Sequence, residues 1–235
     1  MDFTAWIPDE LDHAGAEHLD PQFVAGYDRK QGSAAEEAAA QDLEILRSSG
    51  IDEHATVVDL GAGTGRFAFK AAEVFARVVA VDVSPAMIEE LRRRTTEHSY
   101  DNVEVVQAGW LTYRHTGPPV DAVHSRNALH QVPDAWKAVA LHRVAQMLRP
   151  GGVLRLRDLI YDCAPGELEQ TLERWFDSAA DDPARGYTRD DLIEHVRTEY
   201  STFSWLLVPM LEHAGFEMLN ASNTPTYGAY TCRRG

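Results

Sequence analysis

The chain is expected to fold as an α/β protein, with a mostly parallel sheet covered by helices on both faces. Three features predict this. Short β-branched apolar runs, such as TVVDL at 56–60 and RVVAVDV at 77–83, read as buried strands. Segments with helical spacing separate them, and Gly, Pro or Ser stands at most junctions. Strands alternating with helices need right-handed crossovers, which produce a parallel sheet buried on both sides.

The elements follow in order. Ser33 to Glu36 has capping-box spacing and opens an Ala-rich helix closed by Gly50, with Ala39, Leu43 and Leu46 on one face. After the first strand, helical spacing runs through Phe67, Ala71 and Val74. The second strand is followed by Ser84-Pro85, an N-cap with proline at the first helical position, and a helix to about Glu97. NVEVVQA is a third strand and DAVHS a fourth. A helix over 134–148 places Trp136, Ala140, Val144 and Met147 on one stripe; Pro150-Gly151-Gly152 stops it, and VLRLRDLI is a fifth strand. The rhythm then changes. Two helices are expected over 166–180 and 188–200, joined by DDPARG, then a third over 202–214. FEMLNAS and YGAYTCR complete a seven-stranded sheet.

At 235 residues the chain can bury one sizeable core, so a single domain over 1–235 is the simplest organisation. Within it we expect an N-terminal lid and helix (1–50), a ligand-binding core (51–160), a helical cap inserted after the fifth strand (161–201), and a C-terminal helix with a strand pair (202–235). With 22 basic against 37 acidic residues the net charge is −15. Such a chain repels phosphate backbones and anionic lipid, so neither nucleic acid nor membrane is an expected partner. Arg92, Arg93 and Arg94 form the densest basic cluster, flanked by Glu89, Glu90 and Glu97, and read as a solvated helix face. Cys163 and Cys232 have no disulfide or metal spacing, which fits a reducing compartment. MDFTAWIPDE has no signal-peptide pattern, and no apolar run approaches the ~18 residues of a spanning helix. A soluble cytoplasmic protein is expected; its oligomeric state is left open.

Open parallel sheets bind ligands beyond the carboxyl ends of their strands. The glycine loop after the first strand, with Gly61, Gly63 and Gly65, sits at such an end. A dinucleotide fingerprint requires G-x-G-x-x-G, whereas this loop is G-x-G-x-G with Arg66 in the third glycine's place. The spacing argues against NAD, so an NAD-dependent oxidoreductase is the disfavoured enzymatic alternative. Asp82 ends the second strand, where a carboxylate can accept both hydroxyls of a ribose. Asp59, just before the loop, can orient its backbone or face a cationic group. The pair describes a site for an adenosine-type ligand with an unphosphorylated ribose and a zwitterionic tail.

Residues 56–160 resemble a class I S-adenosylmethionine-dependent methyltransferase of the small-molecule type. VVDLGAGTG resembles that family's first motif and VVAVDVSPAMIEELRRR its acidic-ribose strand and following helix. DAVHSRNALHQVPD and MLRPGGVLRLRD resemble the motif after the fourth strand and the turn before the fifth. The resemblance implies a Rossmann-like, doubly wound sheet and S-adenosylmethionine as cofactor. It implies that Gly61, Ala62, Gly63 and Gly65 form the loop beside the aminoacyl end, that Asp82 holds the ribose, and that Val83 and Met87 pack on adenine. Ser125, Arg126 and Asn127 would lie beside the sulfonium and amino groups. One departure stands out: the family often has Gly-Asp-Ala after the third strand, its Asp accepting from the adenine amino group, where this chain has Ala108-Gly109-Trp110. Trp110 can supply ring stacking instead.

Methyl transfer from a sulfonium is an in-line displacement, so the protein aligns the acceptor, excludes water and, for a protonated acceptor, supplies a base. His130, in the loop after the fourth strand, is the candidate base. Tyr27, in FVAGYDRKQG, is a candidate lid residue and, with His130, a catalytic candidate near the transferring methyl, with Arg29 or Lys30 near the cofactor carboxylate. Asp158 and Tyr161 end the fifth strand and are further candidates. The aromatic residues Trp175, Phe176, Tyr187, Tyr200, Phe203 and Trp205 are read as core. No metal is expected, because no His/Asp/Glu group has ligand spacing in sequence. The expected acceptor is a small molecule methylated on O, N or C. The alternatives are a cofactor-binding module without turnover, and methylation of RNA or protein.

Overall fold

The structure, a computed structural model, describes residues 6–183 and 185–235. Residues 1–5 and Ala184, within the MDFTAWIPDE and DDPARG stretches, lie outside the described residues.

Seven strands form one sheet: β1 (Thr56–Leu60), β2 (Arg77–Asp82), β3 (Val103–Gln107), β4 (Val120–Arg126), β5 (Leu148–Asp158), β8 (Phe216–Thr224) and β9 (Tyr227–Arg234). Their order is β3-β2-β1-β4-β5-β9-β8. The first five pair in parallel, and β9 is antiparallel to both β5 and β8. The chain starts in the middle at β1, runs outward to β3, then returns to β4 on the other side of β1. The switch point is thus the β1–β4 junction, where crossovers leave to opposite faces and open a crevice. A separate two-stranded ladder joins β6 (Ile160–Tyr161) and β7 (Thr202–Phe203).

Strand alternation divides the core into two layers. Val57, Val78 and Ala80 point into a cluster with Leu46, Phe67, Ala71, Ile88 and Leu91, from α1 (Pro21–Ser48), α2 (Arg66–Ala72) and α3 (Pro85–Glu97). Val58, Leu60, Val79 and Val81 point the other way, toward Leu141 and Val144 of α4 (Asp134–Met147) and Leu207 and Leu211 of α7 (Ser204–His213). Leu46 and Leu91 are fully buried, so truncating either to Ala would cost about 2–5 kcal/mol.

The structure adds to the sequence reading before Ser33 and revises it after the fifth strand. Helix α1 begins at Pro21, with Asp20 capping the Gln22 N–H; the backbone leaves helical geometry at Gly32, where φ is 67°, and the helix expected from Ser33 follows that kink as the second part of α1. FVAGYDRKQG therefore lies in the first part of α1, which ends at the Gly32 kink. Helices α5 (Leu168–Asp177) and α6 (Arg189–Thr198) occupy the segment after β5. Their aromatic residues are not core: Trp175, Phe176, Tyr187 and Phe203 are half-buried, and Tyr200 and Trp205 are exposed. No described helix is long and apolar enough to cross a membrane.

Candidate functional site

The glycine loop leaves β1 at the switch point. The Gly61 and Ala62 N–H groups both donate to Val81 O, at 2.9 and 3.0 Å, which ties the loop to β2. Gly61 has φ 75°, and a Cβ there would lie 2.2 Å from Ala128 Cβ. The turn after β4 therefore packs directly on the bare loop backbone. Asp82 ends β2 beneath this turn: Oδ2 accepts from the Gly63 N–H at 2.8 Å and Oδ1 from the Ser84 N–H at 2.9 Å. Burial pushes the Asp82 carboxyl above its ordinary value, opposed by the Ser84 and Gly63 N–H groups. Each oxygen keeps a lone pair for a further donor.

Above this frame lies a cleft of about 770 Å³ including its open mouth. Gly61, Gly63, Asp82, Val83, Met87, Gly109, Trp110, Arg126 and Asn127 line it, all of them expected from sequence. A second cavity of about 520 Å³ adjoins it on the other side of the loop, lined by Asp59, Ala62, Thr64, Phe67 and His124. Tyr27, Gly61, Gly63, Arg126 and Asn127 face both. The two cavities thus share one wall, to which Tyr27 contributes. Burial, followed by the Asp82 charge, pushes the Tyr27 phenol up to about 12. Tyr27 is thus a neutral hydrogen-bond donor at neutral pH and not a base.

Several expected site residues stand elsewhere. Ser125 is fully buried and donates to Leu60 O at 2.6 Å, locking β4 to β1 outside either cavity. Gly65 also lies outside: with φ 92°, a Cβ there would meet the Phe69 ring at 2.4 Å and Leu91 at 2.7 Å, so its bare backbone leaves room for side chains of α2 and α3. Asp59 Oδ1 is held by His124 Nδ1 at 2.7 Å while lining the second cavity. Lys30 pairs with Asp191 at 3.3 Å and lies over the Tyr187 ring, fastening α1 to α6.

The candidate base is also displaced. His130 lines neither cavity. Its Nδ1–H donates to Asp158 Oδ1 at 2.5 Å, and its Nε2 lies 2.8 Å from Glu199 Oε2. Burial would depress the imidazole, but Asp158 and Glu199 hold it up at about 10. A ring protonated at neutral pH has no lone pair with which to accept a proton, so His130 is corrected from base to a buried paired group. Asp158, fully buried, accepts from the Leu129, His130 and Leu159 N–H groups as well as the ring. It organises the turn after β4 and does not face the cleft. Tyr161 likewise lines neither cavity.

The cleft holds residues that sequence reading missed. Glu10, His13, Ala14 and His18, from the two short 3-10 turns before α1, form its outer wall with Gln131. Glu10 is buried, and its carboxylate accepts from the Leu111 and Thr112 N–H groups at 2.9 and 3.0 Å and from Thr112 Oγ1 at 2.8 Å. It covers Gly109, where a Cβ would lie 2.4 Å from the carboxylate. No motif marks Glu10; only folding brings it over a turn about a hundred residues away.

A family model described as a methyltransferase domain matches residues 57–152. An uncharacterized methyltransferase of Geobacillus sp. (strain WCH70) is 27% identical over 169 residues, covering 71% of this chain and 76% of the relative. Trans-aconitate 2-methyltransferase of Azoarcus sp. (strain BH72) is 33% identical over 125 residues, covering 52% of this chain and 46% of the relative. In fold, the chain is similar to magnesium protoporphyrin IX methyltransferase from Synechocystis PCC 6803 with bound S-adenosylmethionine. The TM-score is 0.65 at 15% identity, over 98% of this chain and 99% of that one. Together with a glycine loop and acidic strand end at the switch point, these matches identify the chain as a class I S-adenosylmethionine-dependent methyltransferase, with S-adenosylmethionine as its cofactor.

Proposed function

We propose that the enzyme methylates an O, N or C atom of a small-molecule acceptor in the cytoplasm. The observation that carries this reading is the covered cleft: the turns bearing Glu10, His13 and His18 and the α1 residue Tyr27 wall off the space beside Gly61 and Asp82. A wall of this kind admits a small acceptor and excludes water. The net charge of −15 disfavours a nucleic acid acceptor. The similarity to trans-aconitate 2-methyltransferase, whose name gives a small acid as acceptor, points the same way.

In this reading Asp82 accepts the ribose hydroxyls, and Val83 and Met87 pack against adenine beside Trp110. Arg126, whose buried Nε has no partner within the protein, meets the aminoacyl carboxylate in the second cavity. Glu10, standing over Gly109, supplies the acceptor for the adenine amino group in place of the absent aspartate. Where the acceptor carries a proton, His13 and His18 are the imidazoles on the cleft wall. The 1–50 segment acts as lid, and α5 and α6 form a cap fastened to it through Lys30 and the Gln31–Tyr187 hydrogen bond of 2.7 Å.

The test is transfer of labelled methyl from S-adenosylmethionine to a panel of small carboxylates, phenols and amines, beside RNA and protein extracts. Label in small molecules is the expected result. Label confined to macromolecules overturns the acceptor class, and tight cofactor binding with no transfer to anything overturns turnover.

A further inference from the structure

His130, on the turn after β4, and His195 and Glu199, at the end of α6, are far apart in sequence but converge in the fold. Glu199 Oε2 lies 2.8 Å from His130 Nε2 and 2.6 Å from His195 Nδ1. The oxygen is buried, yet it forms no well-aligned hydrogen bond with either ring. One donor atom from each of the three side chains thus lies within 4.8 Å of the other two. Each ring is also anchored through its other nitrogen: His130 Nδ1 on Asp158 Oδ1 at 2.5 Å, and His195 Nε2 on Ser201 Oγ at 2.8 Å. Metal-ligating histidines are held in this way, with the second nitrogen fixed by a carboxylate or hydroxyl so that the first faces the ion.

We propose that His130, His195 and Glu199 form a binding site for a divalent first-row transition ion of the zinc type. Two imidazoles and a carboxylate suit Zn²⁺, with a fourth position left for water. Tetrahedral bonds of about 2.0–2.2 Å would set the donor atoms roughly 3.3 Å apart, so Glu199 Oε2 needs to draw back from the two ring nitrogens by about 0.5–0.7 Å. The ion takes the place of protons on the ring nitrogens that face Glu199 Oε2, and those protons are released on binding. The site lies behind the cleft wall: a Cβ on Gly15 would be 4.0 Å from Glu199 Oε1 and 3.1 Å from His18 Nδ1. An ion there clips the end of α6 to the turn after β4, a junction now made by the Tyr200 N–H to His130 O hydrogen bond of 2.7 Å. It would order the cap beside the acceptor space.

The experiment uses untagged full-length protein stripped with chelator, then titrated with Zn²⁺ by calorimetry and with Co²⁺ by visible absorption. Wild type is compared with Glu199→Gln and His195→Gln, each checked for native circular dichroism. If Glu199→Gln alone misfolds, His195→Gln still decides the matter. The expected result is about one equivalent bound, a Co²⁺ d–d band of a four-coordinate site, and affinity lower by about 100-fold or more in a folded variant. Proton release on Zn²⁺ binding should accompany it. Absence of saturable binding to wild type, or equal binding by wild type and a folded variant, overturns the proposal.

Discussion

The Asp82 carboxylate accepts the Gly63 N–H at 2.8 Å, so the residue expected to hold the ribose also fixes the loop that makes room for the aminoacyl group. Replacing Asp82 by Ala removes both functions. Hydrogen bonds to a charged group contribute about 1.5–3 kcal/mol each, and the freed Gly63 N–H loses its partner. We expect S-adenosylhomocysteine affinity to fall by about 100-fold in a protein that still folds. Calorimetric titration checks this, and affinity within threefold of wild type would remove Asp82 from the site.

Glu10 stands over Gly109, in the turn after β3 where this chain has no aspartate. If its carboxylate accepts from the adenine amino group, an S-adenosylhomocysteine analogue lacking that amino group should bind wild type about tenfold more weakly. Glu10→Gln, which retains an acceptor oxygen, should lose less affinity for the natural ligand than Glu10→Ala. The amino group should make no difference to Glu10→Ala binding. A penalty for the analogue that is equal in wild type and Glu10→Ala would assign Glu10 to anchoring Leu111 and Thr112 alone.

Gly61 meets Ala128 Cβ so closely that any side chain must displace the turn after β4. Its φ of 75° adds the cost of a left-handed L-residue, roughly 1 kcal/mol, to overpacking of about 1–3 kcal/mol. Gly61→Ala should therefore lower stability by about 3 kcal/mol in urea unfolding. The double variant Gly61→Ala/Ala128→Gly should recover the overpacking part but not the conformational part. Failure of Ala128→Gly to restore any stability would show that the strain lies in the loop backbone itself.

The strand–helix alternation and the cofactor loop were legible because both depend on local pattern: β-branched runs, a capped helix at Ser84-Pro85 and a glycine spacing that excludes a pyrophosphate. The acceptor side was not legible. Glu10, His13 and His18 reach the cleft only because α1 packs across the sheet, and nothing within ELDH or AEHL differs from an ordinary solvated turn. His130 was misassigned because a histidine in a loop gives no sign of the two carboxylates that fold around it. Gly65 and Ser125 sit within motif positions, yet their partners, Phe69, Leu91 and Leu60 O, put them to structural use. A motif specifies backbone shape more firmly than it specifies which members touch the ligand.

Beneath the second cavity, Asp42 joins α1 to the sheet. Its Oδ1 accepts from Arg155 Nε at 2.7 Å, and its Oδ2 lies 3.4 Å from His124 Nε2, whose other nitrogen meets Asp59. Burial alone would raise the Asp42 carboxyl, but His124, Arg155 and Arg157 hold it down at about 2. A depressed folded-state value means that the ionised form is favoured by folding. The resulting stability, on the order of 2 kcal/mol, is complete above the unfolded carboxylate range near pH 4 and is lost as pH falls toward 2. Asp42→Asn leaves the buried Arg155 without its counter-charge, so at pH 7 it should cost about 3 kcal/mol. Urea unfolding at pH 7 and near pH 3 should show the gap between wild type and Asp42→Asn narrowing at the lower pH, because there the unfolded wild-type carboxyl takes up a proton while the folded one stays ionised. A gap that stays constant across that window would mean that Asp42 contributes packing and neutral hydrogen bonding, with its charge irrelevant to the fold.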